Sequence, residues 1–209
     1  MRRAVAGIWD VPLEGVNPAL MVTAISFLLG GVAGCVLCAN VGGGGGESLT
    51  SYMEGFLTLA KADGVTPPAL LPLLWEVLRW PLITIVLGFT ALGVVGIPIL
   101  FSIRGFLLSF AIASFSRIFG TSGGLMATVV FGVSGLFSIP ALFALGVQGF
   151  AAARNLAGRA LGEGGRSSPF GKAYFLRCGV CAAAFCVCIL LEYLAVPAIV
   201  SGMAGLFPA

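Results

Sequence analysis

Residues 118–153 read IFGTSGGLMATVVFGVSGLFSIPALFALGVQGFAAA, a stretch of 36 positions without a charged side chain. Two more uncharged stretches cover residues 15–46 and 80–103, and beyond Arg177 the only charged residue is Glu192. About 20 apolar residues form a helix that crosses the hydrocarbon core of a bilayer, and such a helix satisfies its own backbone polar groups. The chain is therefore predicted to be an all-α polytopic membrane bundle with five transmembrane helices. The predicted spans are residues 19–40, 81–103, 105–119, 125–151 and 178–202.

The composition of the whole chain supports this prediction. Of its 209 residues, 59% are hydrophobic and 9% are charged, whereas soluble domains have about 45–50% apolar and about 25% charged residues. So few charges cannot cover the surface of a soluble globule of this length. The composition excludes a cytosolic enzyme, a nucleic-acid binder and a disordered regulator, and it indicates a single integral membrane domain over residues 1–209.

The basic residues predict the orientation in the membrane, because cytoplasmic loops carry an excess of Lys and Arg. The loop of residues 152–177 contains five basic residues, and two arginines follow the first methionine. If both regions are cytoplasmic, an even number of spans separates them, so the short segment 105–119 must also cross. We therefore expect a cytoplasmic N-terminus, an extracytoplasmic helical loop over residues 41–80 and an extracytoplasmic C-terminus.

The extracytoplasmic loop contains an apolar pattern with helical spacing over residues 49–61. It follows five consecutive glycines at residues 42–46, which are expected to form a flexible hinge. The apolar face of this helix suits either the surface of the bilayer or the surface of a partner protein. The candidate residues for partner docking are Tyr52, Met53, Phe56 and Leu57.

The sequence predicts neither an enzyme nor a cofactor or metal site. It contains no histidine, so the serines of its two G-x-S-G motifs lack the usual general base. The C-x-x-C pairs Cys35/Cys38 and Cys178/Cys181 are expected at opposite membrane faces, where they cannot share one tetrahedral metal ion. Cys35 also ends a sequence that resembles a lipoprotein cleavage box, but a signal anchor is the simpler interpretation.

Two charged residues are expected inside or near the hydrocarbon region, where ionisable side chains are costly and usually have partners. Glu192 lies 15 residues beyond Arg177, and Arg117 lies 13 residues beyond Arg104. These separations correspond to about 22 Å and about 20 Å along a helix. The similar depth predicts an intramembrane pair of Arg117 with Glu192, the alternative being that each side chain reaches water separately.

Four short motifs follow one another along the chain: GVVGIPIL at residues 93–100, IRGFLLSF at 103–110, SGLFSIPA at 134–141 and LEYLAVP at 191–197. In this order they resemble the stage II sporulation protein M family over about residues 19–203, and that family also has five spans and a helical outer loop. The resemblance implies structural roles for the residues that match the family pattern. These are Gly96, Pro98, Arg104, Gly105, Pro140, Glu192 and Pro197.

The resemblance also implies a function. It points to a non-enzymatic scaffold in the bacterial cytoplasmic membrane that recruits or localises a peptidoglycan-remodelling complex during engulfment in sporulation. The implied partners are extracytoplasmic peptidoglycan hydrolases, the D-type and P-type sporulation proteins. The alternative is a small membrane transporter or channel component with a site near Arg117 and Glu192, since glycine-broken helices often mark binding sites. A water-filled cavity that reaches Glu192 would favour this alternative, and a dry bundle with an exposed apolar groove would favour the scaffold.

Overall fold

The computed structural model describes residues 13–40, 51, 70–160, 162 and 171–204, and these residues are almost entirely helical. The described residues contain no strand. The helices, in chain order, are α1 (Leu13–Asn40), α2 (Leu70–Gly88), α3 (Gly93–Ala160) and α4 (Lys172–Ala204).

Helix α3 consists of two helices that meet at Gly120. This residue has φ 65° and ψ −151°, a backbone conformation that side-chain-bearing residues rarely adopt and that glycine tolerates. We call residues 93–119 helix α3a and residues 121–160 helix α3b. The break lies between the predicted third and fourth spans.

Five stretches of the described helices are long and apolar enough to cross a membrane. They are Pro18–Asn40, Leu71–Gly88, Gly93–Ile118, Gly135–Ala160 and Tyr174–Leu194. Large apolar side chains such as Leu28, Leu92 and Leu136 are exposed on the outside of the bundle, as expected for a protein whose exterior faces lipid. The predicted fold class, an all-α polytopic membrane bundle, is confirmed.

The boundary between the second and third spans differs from the prediction. Residues 70–80, predicted to lie in the outer loop, form the first half of α2. The chain turns back at residues 89–92, and α3a continues without interruption through Arg104 and Gly105, where the sequence predicted the turn. The short segment 105–119 is therefore the second half of a longer span and does not need to cross the membrane alone.

The turn between α2 and α3a is closed by hydrogen bonds and by glycines. The Thr90 amide donates to the Leu87 carbonyl over 3.1 Å, and the Gly93 amide donates to the Thr90 carbonyl over 3.1 Å. Gly93 and Gly96 both lie against Leu87, and a Cβ atom at either position would collide with that residue. The absence of side chains at these two positions lets α3a fold back tightly onto the end of α2.

Helix α1 packs mainly on α3. Gly30 and Gly34, one helical turn apart, lie directly against the backbone of α3a, and Gly105 of α3a lies against the Phe27 carbonyl of α1. Small residues let membrane helices approach closely when no hydrophobic driving force acts between them. This glycine interface joins the first span to the rest of the bundle.

Several fully buried hydroxyl groups are satisfied within their own helices. Thr23, Thr84 and Ser114 each donate a hydrogen bond to the backbone carbonyl four residues earlier, over 2.9, 2.8 and 2.7 Å respectively. These groups therefore need no partner from another helix. A buried polar side chain elsewhere in the bundle that lacks such a bond is therefore a candidate to bind water or a ligand.

Candidate functional site

Helices α2, α3a, α3b and α4 surround a cavity of about 280 Å³. Part of its wall is apolar and includes Leu142 and Phe185, both of which are buried. The other part is polar and contains two arginines and two glutamates, so the formal charges of the wall balance. The polar residues considered below are Glu76, Arg79, Trp80, Arg104, Ser138 and Glu192.

The cavity lies in the membrane-crossing part of the bundle. Arg79 is at the centre of Leu71–Gly88, and Arg104 is near the centre of Gly93–Ile118. Successive spans run in opposite directions, so the start of α2 and the end of α4 lie towards the same membrane face. The cavity extends from the middle of the membrane towards that face, where Glu76 is exposed.

Trp80 lies next to both arginines of the cavity. The guanidinium carbons of Arg79 and Arg104 are 5.2 and 5.3 Å from the centroid of the Trp80 ring. Guanidinium groups at this distance are attracted to the negative face of an aromatic ring, and the attraction strengthens when water is excluded. Trp80 therefore positions two cations, one from its own helix and one from α3a, around the same space.

Arg104 and Glu192 meet in this cavity from different helices. Arg104 of α3a and Glu192 of α4 carry opposite charges into the same cavity, which Arg79 and Glu76 of α2 also line. Apolar walls weaken the screening of such interactions relative to water. The polar lining of the cavity is thus a network of four ionisable groups.

Among the residues that the structure describes, the polar lining atoms without a hydrogen-bond partner include Oγ of Ser138, Nε1 of Trp80 and Nε of Arg79. Ser138 is only 8% exposed. Roughly 90% or more of buried backbone polar groups, and most buried side-chain polar atoms, have partners, and an unsatisfied one costs about 1–3 kcal/mol. Their concentration in one cavity indicates that water or a polar ligand occupies it.

A family model described as Stage II sporulation protein M matches residues 23–204. The chain belongs to this family. The match reaches into all five spans and includes every polar residue of the cavity described above, and the resemblance predicted from the motifs is confirmed. No curated protein and no solved structure matches the chain.

In this Stage II sporulation protein M family member, the residues of the family pattern lie in different parts of the bundle. Arg104 and Glu192 line the cavity. Gly96 lies against the end of α2, and Gly105 lies against α1. The proline positions of the pattern lie inside helices, Pro98 and Pro140 in α3 and Pro197 in α4.

The predicted pair of Arg117 with Glu192 stays a prediction for this family member. Arg117 lies near the end of α3a and donates a hydrogen bond to the Cys38 carbonyl of α1. The basic residue that shares a cavity with Glu192 is Arg104. The depth derived from the sequence placed Arg104 at the start of a span, but α3a begins at Gly93 and Arg104 already lies in its middle.

Sequence reasoning missed four residues of this cavity: Glu76, Arg79, Trp80 and Ser138. The first three have helical i, i+3 and i+4 spacing, which places them on one face of a helix. This spacing is visible in the sequence, but the predicted outer loop of residues 41–80 includes all three residues. Ser138 is a small polar residue in an apolar helix, and its sequence carries no sign that its hydroxyl faces a cavity.

The other predicted features of the family member concern cysteines and the outer loop. The six cysteines, all within the described residues, carry thiol groups rather than disulfides. Across residues 13–40, 70–160 and 171–204, the structure has no group of three or more His, Cys, Asp and Glu side chains arranged to hold a metal ion. The candidate docking residues lie outside the described residues. They are Tyr52, Met53, Phe56 and Leu57.

Proposed function

We propose that this protein is a membrane scaffold that recruits or localises a peptidoglycan-remodelling complex during engulfment in sporulation. The observation that carries the proposal is the family match over residues 23–204, which covers nearly the whole bundle. The proposed partners are extracytoplasmic peptidoglycan hydrolases, the D-type and P-type sporulation proteins that the resemblance implies. In the sequence, the apolar pattern over residues 49–61 lies between the end of α1 and the start of α2.

The proposed location is the bacterial cytoplasmic membrane, with the N-terminus cytoplasmic and the C-terminus extracytoplasmic. The distribution of basic residues supports this orientation. By position in the sequence, two basic residues fall on the proposed outer side: Lys61 lies between the first and second spans, and Arg117 lies near the end of the third. Seven fall on the proposed inner side, either before the first span or from the end of the fourth span to the start of the fifth: Arg2, Arg3, Arg154, Arg159, Arg166, Lys172 and Arg177.

Cysteine labelling tests the orientation. In a variant without native cysteines, Ala62→Cys is expected to react with a membrane-impermeant thiol reagent added to intact cells. Gly165→Cys is expected to react only after the membrane is permeabilised. Labelling of both positions from the same side would contradict the proposed arrangement of the two loops.

Substitution of the apolar stripe in the outer loop tests the scaffold function. The double variant Phe56→Ser/Leu57→Ser is expected to reduce co-purification of the extracytoplasmic hydrolases at least tenfold, because buried aromatic and aliphatic anchors dominate many interfaces. Its matched control, Thr58→Ala/Lys61→Ala, changes two positions of the same segment outside the stripe and is expected to retain the partners. Normal partner recovery with the Ser variant would eliminate the docking surface, and loss of membrane expression would show that the stripe is needed for folding.

A second candidate function is transport, and one observation favours it: a polar cavity in the membrane-crossing region reaches Glu192. Ionisable residues inside the membrane often mark solute or ion pathways. In this candidate the site is formed by Arg104 and Glu192 with the polar face of α2. Transport requires that the cavity becomes accessible from each side of the membrane in turn.

Thiol accessibility distinguishes a transport pathway from a static cavity. Cys188 is buried and lines the cavity, whereas Cys186 is exposed on the same helix. In a variant that retains only Cys188, transport predicts modification by a charged thiol reagent from either side of a proteoliposome. A static cavity predicts modification from one side at most. The variant that retains only Cys186 is the control, and we expect no charged reagent to reach it through the lipid.

A further inference from the structure

We propose that the cavity binds a small zwitterion, a molecule that carries both a phosphate or carboxylate group and an ammonium group. The proposal rests on the cavity alone and goes beyond the recruitment of hydrolases. It would hold whether or not the protein transports the molecule.

The charges of the cavity carry the proposal. Arg79 and Arg104 offer guanidinium groups, which bind phosphate or carboxylate oxygens through charge-assisted hydrogen bonds. Glu76 and Glu192 offer carboxylates, which accept hydrogen bonds from an ammonium group. The charges of the wall already balance one another, so a lone anion or a lone cation would add a net charge at a site with apolar walls, where an unbalanced charge is costly. A ligand with both charges matches both pairs.

The unpartnered polar atoms of the cavity indicate which end of the ligand each part of the wall can bind. The Ser138 hydroxyl can donate or accept a hydrogen bond, and Nε1 of Trp80 and Nε of Arg79 can only donate. These three atoms find no hydrogen-bond partner within the described part of the chain, and all belong to side chains that line the cavity. The two groups that can only donate suit the anionic end of the ligand. The Ser138 side chain is only 8% exposed, and its hydroxyl can bond to either end.

The size and the openings of the cavity define what can enter it. Its volume of about 280 Å³ far exceeds the roughly 10–15 Å³ needed for one water molecule. Glu76 is exposed at the rim, and Leu107, another lining residue, is 42% exposed on the outside of the bundle. A soluble zwitterion can therefore enter at Glu76, and a phosphatidylethanolamine headgroup can enter beside Leu107 with its acyl chains in the bilayer. Both share the chemistry of phosphoethanolamine.

Trp80 provides a reporter inside the cavity. The chain has three tryptophans, Trp9, Trp75 and Trp80, so the variant Trp9→Phe/Trp75→Phe leaves Trp80 as the only one. We would place this variant in nanodiscs of phosphatidylglycerol, a lipid without an ammonium group, and titrate it with phosphoethanolamine and with glycine. The expected result is a saturable change in Trp80 emission for at least one of them, with a Kd below about 1 mM. Inorganic phosphate and ethylamine, each with one charge type, are expected to bind at least tenfold more weakly.

Two substitutions connect the signal to the cavity. Arg104→Gln is expected to weaken binding at least tenfold, because it removes a charged hydrogen-bond donor. Ser138→Ala leaves all charges in place and is expected to weaken binding roughly fivefold, in line with the loss of one hydrogen bond. The control is Gln148→Leu, since Gln148 also has an unpartnered buried oxygen but does not line the cavity. This variant is expected to bind as the parent does.

The two sources of the ligand are separated by repeating the titration in nanodiscs that contain equal amounts of phosphatidylethanolamine and phosphatidylglycerol. A shifted Trp80 emission before titration, with no further response to phosphoethanolamine, identifies the lipid headgroup. An unchanged titration identifies a soluble zwitterion. The proposal is overturned if neither soluble probe nor the lipid changes the emission, if phosphate or ethylamine binds as well as the zwitterions, or if Ser138→Ala binds as tightly as the parent.

Discussion

Substitution of Gly105 by leucine is expected to prevent α1 from packing on α3a and to leave no folded, monodisperse protein. A Cβ atom at this position would collide with the Phe27 carbonyl of α1 and would lie 3.2 Å from the Gly31 backbone nitrogen. Both neighbours are backbone atoms, so the collision can be relieved only by separating the two helices. Even Gly105→Ala is expected to lower the free energy of unfolding by about 1–3 kcal/mol, the usual cost of overpacking.

Size-exclusion chromatography and thermal unfolding in detergent measure these effects. The matched control is Gly179 of α4, which is exposed and has no atom within 4 Å of a built Cβ. Gly179→Ala and Gly179→Leu are therefore expected to behave like the parent protein. A Gly105→Leu protein as stable as Gly179→Leu would show that α1 and α3a do not approach as closely as described.

Removal of either charge of the Arg104–Glu192 interaction is expected to destabilise the bundle strongly. Loss of one member of a buried pair costs about 3–5 kcal/mol, and we expect about 2–3 kcal/mol for Arg104→Leu or Glu192→Leu because the cavity can admit water. The double variant Arg104→Leu/Glu192→Leu removes both charges together and is expected to be more stable than the sum of the single effects predicts. The coupling energy from this double-mutant cycle should exceed about 1 kcal/mol.

Arg159→Leu is the control for the loss of a positive charge. Arg159 is exposed in the last turn of α3, and its removal is expected to change stability by no more than about 0.5 kcal/mol. Strictly additive effects of Arg104→Leu and Glu192→Leu would mean that the two side chains do not interact, and would return Arg117 as the candidate partner of Glu192.

The number of membrane helices could be predicted from the sequence, but the bounds of the second and third could not. Long stretches without charge are a direct consequence of the cost of burying charge in lipid, so counting them counts spans. The turn at residues 89–92 reads FTAL and carries no charge, and hydropathy therefore does not detect it. For the same physical reason the sequence predicts a boundary at Arg104, since a basic residue usually marks the end of a span. Here the polar cavity allows it to lie in the middle of one.

The candidate site depended on this boundary. The predicted outer loop of residues 41–80 includes Glu76, Arg79 and Trp80, so the sequence gives no reason to place them beside Arg104 and Glu192. Once these residues belong to α2, the same helical spacing brings them to the cavity of Arg104 and Glu192. Glu192 is visible in the sequence as an unusual charge in an apolar helix, but which cation shares its cavity depends on how the helices pack, and hydropathy does not report packing.

The four-residue turn between α2 and α3a bears on how the protein enters the membrane during synthesis. The most apolar stretch of α2 has a mean hydropathy of 1.4, against 2.0 for α3a, and it carries Arg79 at its centre. A charged residue at that position disfavours insertion of an isolated helix by about 2.5–3.5 kcal/mol. A turn this short forces the two helices to leave the insertion machinery together, as a hairpin. We therefore expect that α2 does not insert into the lipid by itself. Synthesis must continue beyond α3a before α2 is stably inserted.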